Sequence, residues 1–409
     1  MNSLFTIALS ALVAIICCGE TSCDETTTPR ISLNTPTYRR AKICYFANWA
    51  FSRTGPSGNF TPEDIDFSSC DFICYAFAGL NKETYKIQVT DKSADLSDNG
   101  GQGLIAKVVS LANSSSAQGV LISLGGWGES NSTAYPTLFT NETLQDEFVQ
   151  DSVQFLKKYG FIGLDLDYEY PQCPQGTCNP GTAEKEGFSK LIVKLRTEYK
   201  KHHFYLTAAV SANVGNIDKY YEPKVLNDNL DWIGLMTYDY HVQSEPNVGL
   251  TAPFFQYGSE PATLNVKSTV EAWISKGVAA NKLVLGIPLY GVSYTLADKN
   301  KTTIGSPAAG PGKEKRALFY NEICPLKNQG WTEVSSENGK PIGGTYAYKD
   351  DQWVGYDSVT DVEAKGKYIL DKDLQGYMVW ELAEDDFRGL CGAGKYPLLK
   401  ALAKSVTTQ

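Results

Sequence analysis

The sequence predicts an α/β chain, a (β/α)8 TIM barrel with a small α+β insertion after the seventh strand. Three observations point there. Eight short apolar runs recur along the 409 residues, apolar residues at helical spacing fill most gaps between them, and one run carries three acids on a single face.

In chain order the strand-like runs are residues 42–49, 72–77, 120–127, 161–170, 204–210, 232–238, 283–289 and 374–380. Between these runs the helical pattern is plain. Residues 144–159 place Phe148, Val149, Val153 and Leu156 at helical spacing and stop at Gly160, as a helix C-terminus does. Segments 188–199, 266–276 and 361–370 behave alike. One gap is too long for a βα unit: after Leu289 come the Gly-Pro-rich residues 305–312 and the strand-like pieces 345–348 and 353–356, so an insertion is expected over about residues 292–356. The expected organisation is a signal peptide over 1–19, a polar, flexible segment over 20–40, and one domain over 41–409. No cysteine-rich binding module is expected after the last helix.

The fourth run decides most about function. Strand side chains alternate between faces, so Gly163, Asp165, Asp167 and Glu169 share one face and Ile162, Leu164, Leu166 and Tyr168 the other. Burying one unpaired carboxylate costs several kcal/mol, so a row of three is hydrogen-bonded, partly protonated or used. Close like charges cannot all ionise, and at least one carboxyl is then available as a general acid near neutral pH. Glu169 stands at the strand end, just before Pro171, where barrel enzymes place their chemistry. A cation site would need oxygens converging on one point, whereas same-face positions lie roughly 6.6 Å apart along a strand.

Composition narrows the class. The net charge is -9, and an acidic surface without a basic stripe argues against nucleic acid or anionic membrane as partner. Only His202, His203 and His241 occur, so multi-histidine metal chemistry is not expected, and neither metal nor cofactor is called for. The apolar stretch from Leu4 to Cys18 reads as a secretory signal and is short for a full membrane span. Ten cysteines and sequons at Asn59, Asn113, Asn131, Asn141 and Asn300 agree with a secreted, extracellular glycoprotein, expected to be a monomer without membrane attachment after signal removal. Cys173 and Cys178 bracket a tetrapeptide and can close a small disulfide loop; zinc would need two further Cys or His nearby, which the sequence lacks.

Several segments taken together give a resemblance. Cys44-Tyr45-Phe46-Ala47-Asn48-Trp49, Tyr75-Ala76-Phe77, Ser123-Leu124-Gly125-Gly126-Trp127, Met236-Thr237-Tyr238-Asp239, Gly286-Ile287-Pro288-Leu289-Tyr290-Gly291, Gly310-Pro311-Gly312 and Met378-Val379-Trp380 stand in order around the acids. With them the chain, from about Lys42 to Ala403, resembles the secreted chitinases of glycoside hydrolase family 18. Its acidic signature, Asp-x-x-Asp-x-Asp-x-Glu, keeps its last three acids and has Ile162 in place of the first.

The resemblance implies hydrolysis of β-1,4-linked N-acetylglucosamine in chitin or chitooligosaccharides, with retention of configuration and the substrate's own acetamido oxygen as nucleophile. Glu169 would be the general acid/base. Asp167 would hold the acetamido N–H, Asp165 would share a proton with Asp167, and Tyr238 would bond the acetamido carbonyl. Substrate-binding groups would be Tyr45, Trp49, Phe77, Gly126, Trp127, Tyr170, Met236, Asp239, Tyr290 and Trp380, the aromatics stacking on sugar faces. The resemblance also pairs Cys44 with Cys70 and Cys324 with Cys391, and leaves Cys74 a buried thiol. His241 reads as a hydrogen-bonded structural residue. Two further departures are Val292, in place of an Arg after Tyr-Gly, and Ser244, in place of a Trp platform. Alternatives on the same barrel are a chitin- or glycan-binding lectin, whose members usually lose the catalytic Glu, and an endo-N-acetylglucosaminidase.

Overall fold

The computed structural model describes residues 40–55, 57–179 and 181–407. The signal-peptide reading with Cys17 and Cys18, and residues 20–39 with Cys23, lie outside these residues. The strands are β1 Ala41–Ala47, β2 Phe72–Leu80, β3 Ile87–Val89, β4 Gly119–Gly125, β5 Gly163–Asp167, β6 Tyr205–Ser211, β7 Ile233–Met236, β8 Leu283–Pro288, β9 Tyr290–Leu296, β10 Ala308–Pro311, β11 Leu318–Phe319, β12 Thr332–Glu337, β13 Lys340–Lys349, β14 Gln352–Tyr356 and β15 Gly376–Trp380. Parallel pairing runs β1-β15-β8-β7-β6-β5-β4-β2 and returns from β2 to β1, which closes an eight-stranded barrel. All eight expected runs are barrel strands. The acid run is shorter than expected, however, since β5 ends at Asp167 and leaves Tyr168, Glu169 and Tyr170 in the connection beyond it.

Alternation sorts the side chains into two layers. Ile43, Tyr45, Cys74, Leu121, Tyr205, Ala209, Val284 and Met378 fill the barrel interior. Their neighbours in sequence, among them Phe46, Tyr75, Ile122, Leu164, Leu206, Leu285 and Val379, face the helices and pack with Val153, Leu156, Leu191, Leu195 and Trp273. Each such fully buried side chain contributes about 1.5–3 kcal/mol, so a register slip that swapped the layers is strongly disfavoured. The helices are those the periodicity marks: Glu142–Tyr159, Ala183–Tyr199, Val266–Ser275 and Val359–Asp371. Asn141 caps the first by accepting from the Thr143 and Leu144 N–H groups, and Gly160 ends it at φ 75°, a conformation that favours glycine.

Ile162 is a correction. Alternation placed it on the face opposite the acids, toward the layer between barrel and helices. It instead precedes β5, is only partly buried, and packs against the interior cluster at the strand's entry, beside Gly119. Ile162 still bonds both flanking strands, its N–H donating to the Val120 carbonyl and its carbonyl accepting from the Tyr205 N–H, but it sits at a bend before β5, where strict alternation no longer holds.

A second, antiparallel sheet of order β10-β9-β14-β13-β12, with β11 on β9, lies between barrel strands β8 and β15 in sequence. Val292, Tyr294, Leu296, Ile342, Tyr346 and Trp353 form its core with Val248 and Leu250. Disulfides join Cys44 to Cys70, Cys173 to Cys178 and Cys324 to Cys391, and Cys74 is a buried free thiol. Asn59, Asn113, Asn131, Asn141 and Asn300 are all exposed. Among the described residues no helix is long and apolar enough to cross a membrane.

Candidate active site

The barrel register builds the site from below. Asp165 of β5 stands level with Ser123 of β4 and Thr207 of β6. Both neighbours turn hydroxyls onto it: Ser123 Oγ donates to Oδ2 at 2.8 Å and Thr207 Oγ1 to Oδ1 at 2.6 Å, while the Tyr45 hydroxyl donates to Oδ2 at 2.8 Å. Burial pushes the Asp165 pKa up and these three donors oppose it. One step higher, Asp167 is 3 % exposed and its Oδ1 has no hydrogen-bond partner among the described residues. Burial raises its pKa well above the usual carboxylate range, and the charges of Glu169 and Asp165 add to this. The donors on Asp165 therefore favour its ionised form over that of Asp167, where burial is unopposed.

Glu169 stands just past the strand. Its backbone N–H donates to Ser130 Oγ at 2.9 Å. Loss of solvation pushes its pKa up to about 7, Asp239 is the next contributor, and the Tyr170 hydroxyl and Trp127 N–H pull the other way. Asp239, at φ 54°, is exposed as a residue, but its carboxylate is desolvated and its Oδ1 accepts from the Tyr290 hydroxyl at 2.7 Å. Loss of solvation raises its pKa, against the bonds from Tyr290 and Thr251. Tyr238 and Tyr290 meet edge to face with centroids 6.2 Å apart. Glu169, Tyr170, Met236, Tyr238 and Asp239 line one cavity of ≈ 200 Å³ with Ser211 and Asn213.

Aromatic rings cover the barrel mouth. Trp380, the last residue of β15, lies 5.4 Å from Tyr45, 5.7 Å from Phe77 and 6.2 Å from Trp49, centroid to centroid. Trp49 and Trp127 are 42 % and 54 % exposed, unusual for indoles unless a partner covers them. Gly126 has φ 78°, and a Cβ there would meet the Phe77 ring at 2.5 Å, so only glycine lets the β4 end pass that ring.

The expected residues therefore come together at the C-terminal end of the barrel. Val292 is 5 % exposed in the apolar core of the second sheet. The Arg53 and Arg316 guanidinium groups lie 4.3 and 5.0 Å from the ring of Phe319, which pairs with Tyr290, and each is ion-paired, Arg53 with Glu381 at 2.7 Å and Arg316 with Glu322 at 2.6 Å. Ser244 is exposed in the loop after β7. Nearby, His241 is gripped by Glu245 at 2.7 Å and Glu260 at 2.6 Å; burial opposes its charge, but the two carboxylates prevail and bring its pKa to about 9. It stays a cation and pins the loop. Sequence reasoning missed Thr207, Ser130 and Thr251. Only the strand register, which sets Thr207 opposite Asp165, could have signalled the first.

Residues 41–385 match the family described as Glycosyl hydrolases family 18. The chain belongs to that family. It is 39 % identical over 368 residues to "Probable chitinase 10" of Drosophila melanogaster, covering 88 % of this chain and 16 % of that much longer protein. Catalytic domain 2 of the Group II chitinase of Ostrinia furnacalis, as a mutant in complex with (NAG)5, superposes with TM-score 0.84 at 38 % identity, covering 90 % of this chain and 96 % of that one. Human YKL-39, described as a pseudo-chitinase with retained chitooligosaccharide binding properties, superposes with TM-score 0.80 at 32 % identity, covering 90 % and 100 %.

Proposed function

We propose that the protein is a secreted, monomeric chitinase that hydrolyses β-1,4 linkages between N-acetylglucosamine units by a retaining, substrate-assisted route. The observation that carries this reading is Glu169, a carboxyl with a pKa near 7 at the barrel mouth, next to the buried, unpartnered Oδ1 of Asp167. A sugar seated on Trp380 presents its glycosidic oxygen to Glu169 and its acetamido N–H to Asp167 Oδ1. Glu169 gives its proton to the leaving oxygen as the C1–O bond breaks, and the acetamido carbonyl oxygen, held by the Tyr238 hydroxyl, closes on C1. The resulting oxazolinium carries a positive charge, balanced by the single negative charge of the Asp165–Asp167 pair beneath it. Water then attacks C1, returns a proton to Glu169 and restores the starting configuration. Trp49, Phe77 and Trp127 supply stacking surface along the chain.

Relatives bearing the chitinase name and the (NAG)5 complex of the Ostrinia domain support the substrate. The likeness to YKL-39 supports a second reading, a lectin that binds without cleaving. Retention of Glu169 with a poised proton favours hydrolysis over that reading. Product release from a chromogenic chitooligosaccharide tests it, with a de-N-acetylated analogue as control. The expected result is cleavage of the acetylated substrate and little of the free amine. Equal cleavage of both would refute the acetamido nucleophile, and binding without cleavage would establish the lectin.

A further inference from the structure

The Cys173–Cys178 loop has no role in the steps above, yet it is tied to both the acid and its neighbouring indole. Tyr170 N–H donates to the Cys173 carbonyl at 3.3 Å and Cys173 N–H to the Tyr170 carbonyl at 3.0 Å. From within the loop, Gln175 N–H donates to the Glu169 carbonyl at 2.8 Å, and its side-chain Nε2 donates to the Trp127 carbonyl. One residue thus holds the backbones of Glu169 and Trp127 together. The Trp127 N–H in turn bonds the Glu169 carboxyl. Gln175 does this at φ 47°, a left-handed conformation uncommon outside glycine, and the disulfide across the loop, with Cys173 fully buried, keeps it there.

We propose that Gln175, fixed by the Cys173–Cys178 bridge, is a positioning residue: it sets the Trp127 platform against the acid and so governs how tightly the N-acetylglucosamine unit stacked on Trp127 is held. This rests on the reading of Glu169 as acid and Trp127 as sugar platform. Gln175→Ala and Gln175→Glu are the central variants, because Glu keeps the side-chain length and has no N–H to donate. Both should weaken binding of fully acetylated chitohexaose by roughly 3- to 10-fold, the range for one lost hydrogen bond, and raise KM more than they lower kcat. Both should also move the alkaline limb of the rate profile to higher pH, since a slackened Trp127 N–H no longer favours ionised Glu169. Thermal melts should match the parent.

Measuring hexasaccharide binding in a Glu169→Gln background separates the two ideas. If the parent does not hydrolyse chitin and Gln175→Ala still loses affinity, the catalytic reading fails and the positioning role stands. If the parent hydrolyses and both Gln175 variants equal it in affinity, KM and pH profile, the positioning role is overturned. A Glu variant that behaves like the parent while Ala does not would also overturn it, since bulk rather than the donated hydrogen bond would then matter. The paired Cys173→Ser, Cys178→Ser variant should reproduce the Gln175 losses; should it fail to fold, the Gln175 variants carry the test alone.

Discussion

Thr207→Val removes one hydroxyl from the cradle under the acids and keeps the side chain's shape. Thr207 is fully buried and is the donor to Asp165 Oδ1 at 2.6 Å, whereas Tyr45 and Ser123 share Oδ2. A hydrogen bond to an ionised group contributes about 1.5–3 kcal/mol, and no water-exposed path replaces it here, so a loss of about 2 kcal/mol is expected at neutral pH. The sign with pH follows from the charge. The hydroxyl stabilises ionised Asp165 and so holds its folded-state pKa below the value it takes in the variant. The difference between parent and variant is therefore largest where Asp165 is ionised and shrinks as falling pH protonates it. Urea denaturation of both proteins at neutral and acid pH measures this. A difference below about 0.5 kcal/mol, or one that grows toward acid, would refute the assignment of the negative charge to Asp165.

Asp239→Asn should move the alkaline limb of kcat/KM, which Glu169 sets near pH 7, to lower pH, because the neighbouring charge that raises the Glu169 pKa is gone; a pH–rate profile checks it. Ile162→Asp should cost at most about 1 kcal/mol with activity unchanged, since the side chain is partly exposed before β5; a loss above about 2 kcal/mol in a denaturation assay would return it to a sealed layer. Ser244→Trp should lower KM for long oligomers more than for short ones, one stacking contact contributing about 1 kcal/mol, and an effect independent of chain length would show that this loop does not face the cleft.

The parts legible in the sequence are those that local pattern alone determines. Eight apolar runs and the helix ending at Gly160 are periodic over whole elements, and the alternating acids fix the functional face of β5. What stayed hidden depends on which strand lies beside which. Thr207 carries no signal until register sets it opposite Asp165. Glu260 meets His241 only because the intervening loop folds back. Position 292 shows the converse limit: Val in place of Arg suggested a charge missing near the site, and Val292 instead lies buried in the apolar core of the second sheet.

In the mechanism proposed, Glu169 supplies the proton. Glu169→Gln keeps the side chain's shape and removes the labile proton, so turnover of a chromogenic chitooligosaccharide should fall by about 100-fold or more while affinity for the same oligosaccharide, read by calorimetry, stays within a few-fold of the parent. Hydrolysis by that variant at a rate near the parent's would contradict the account.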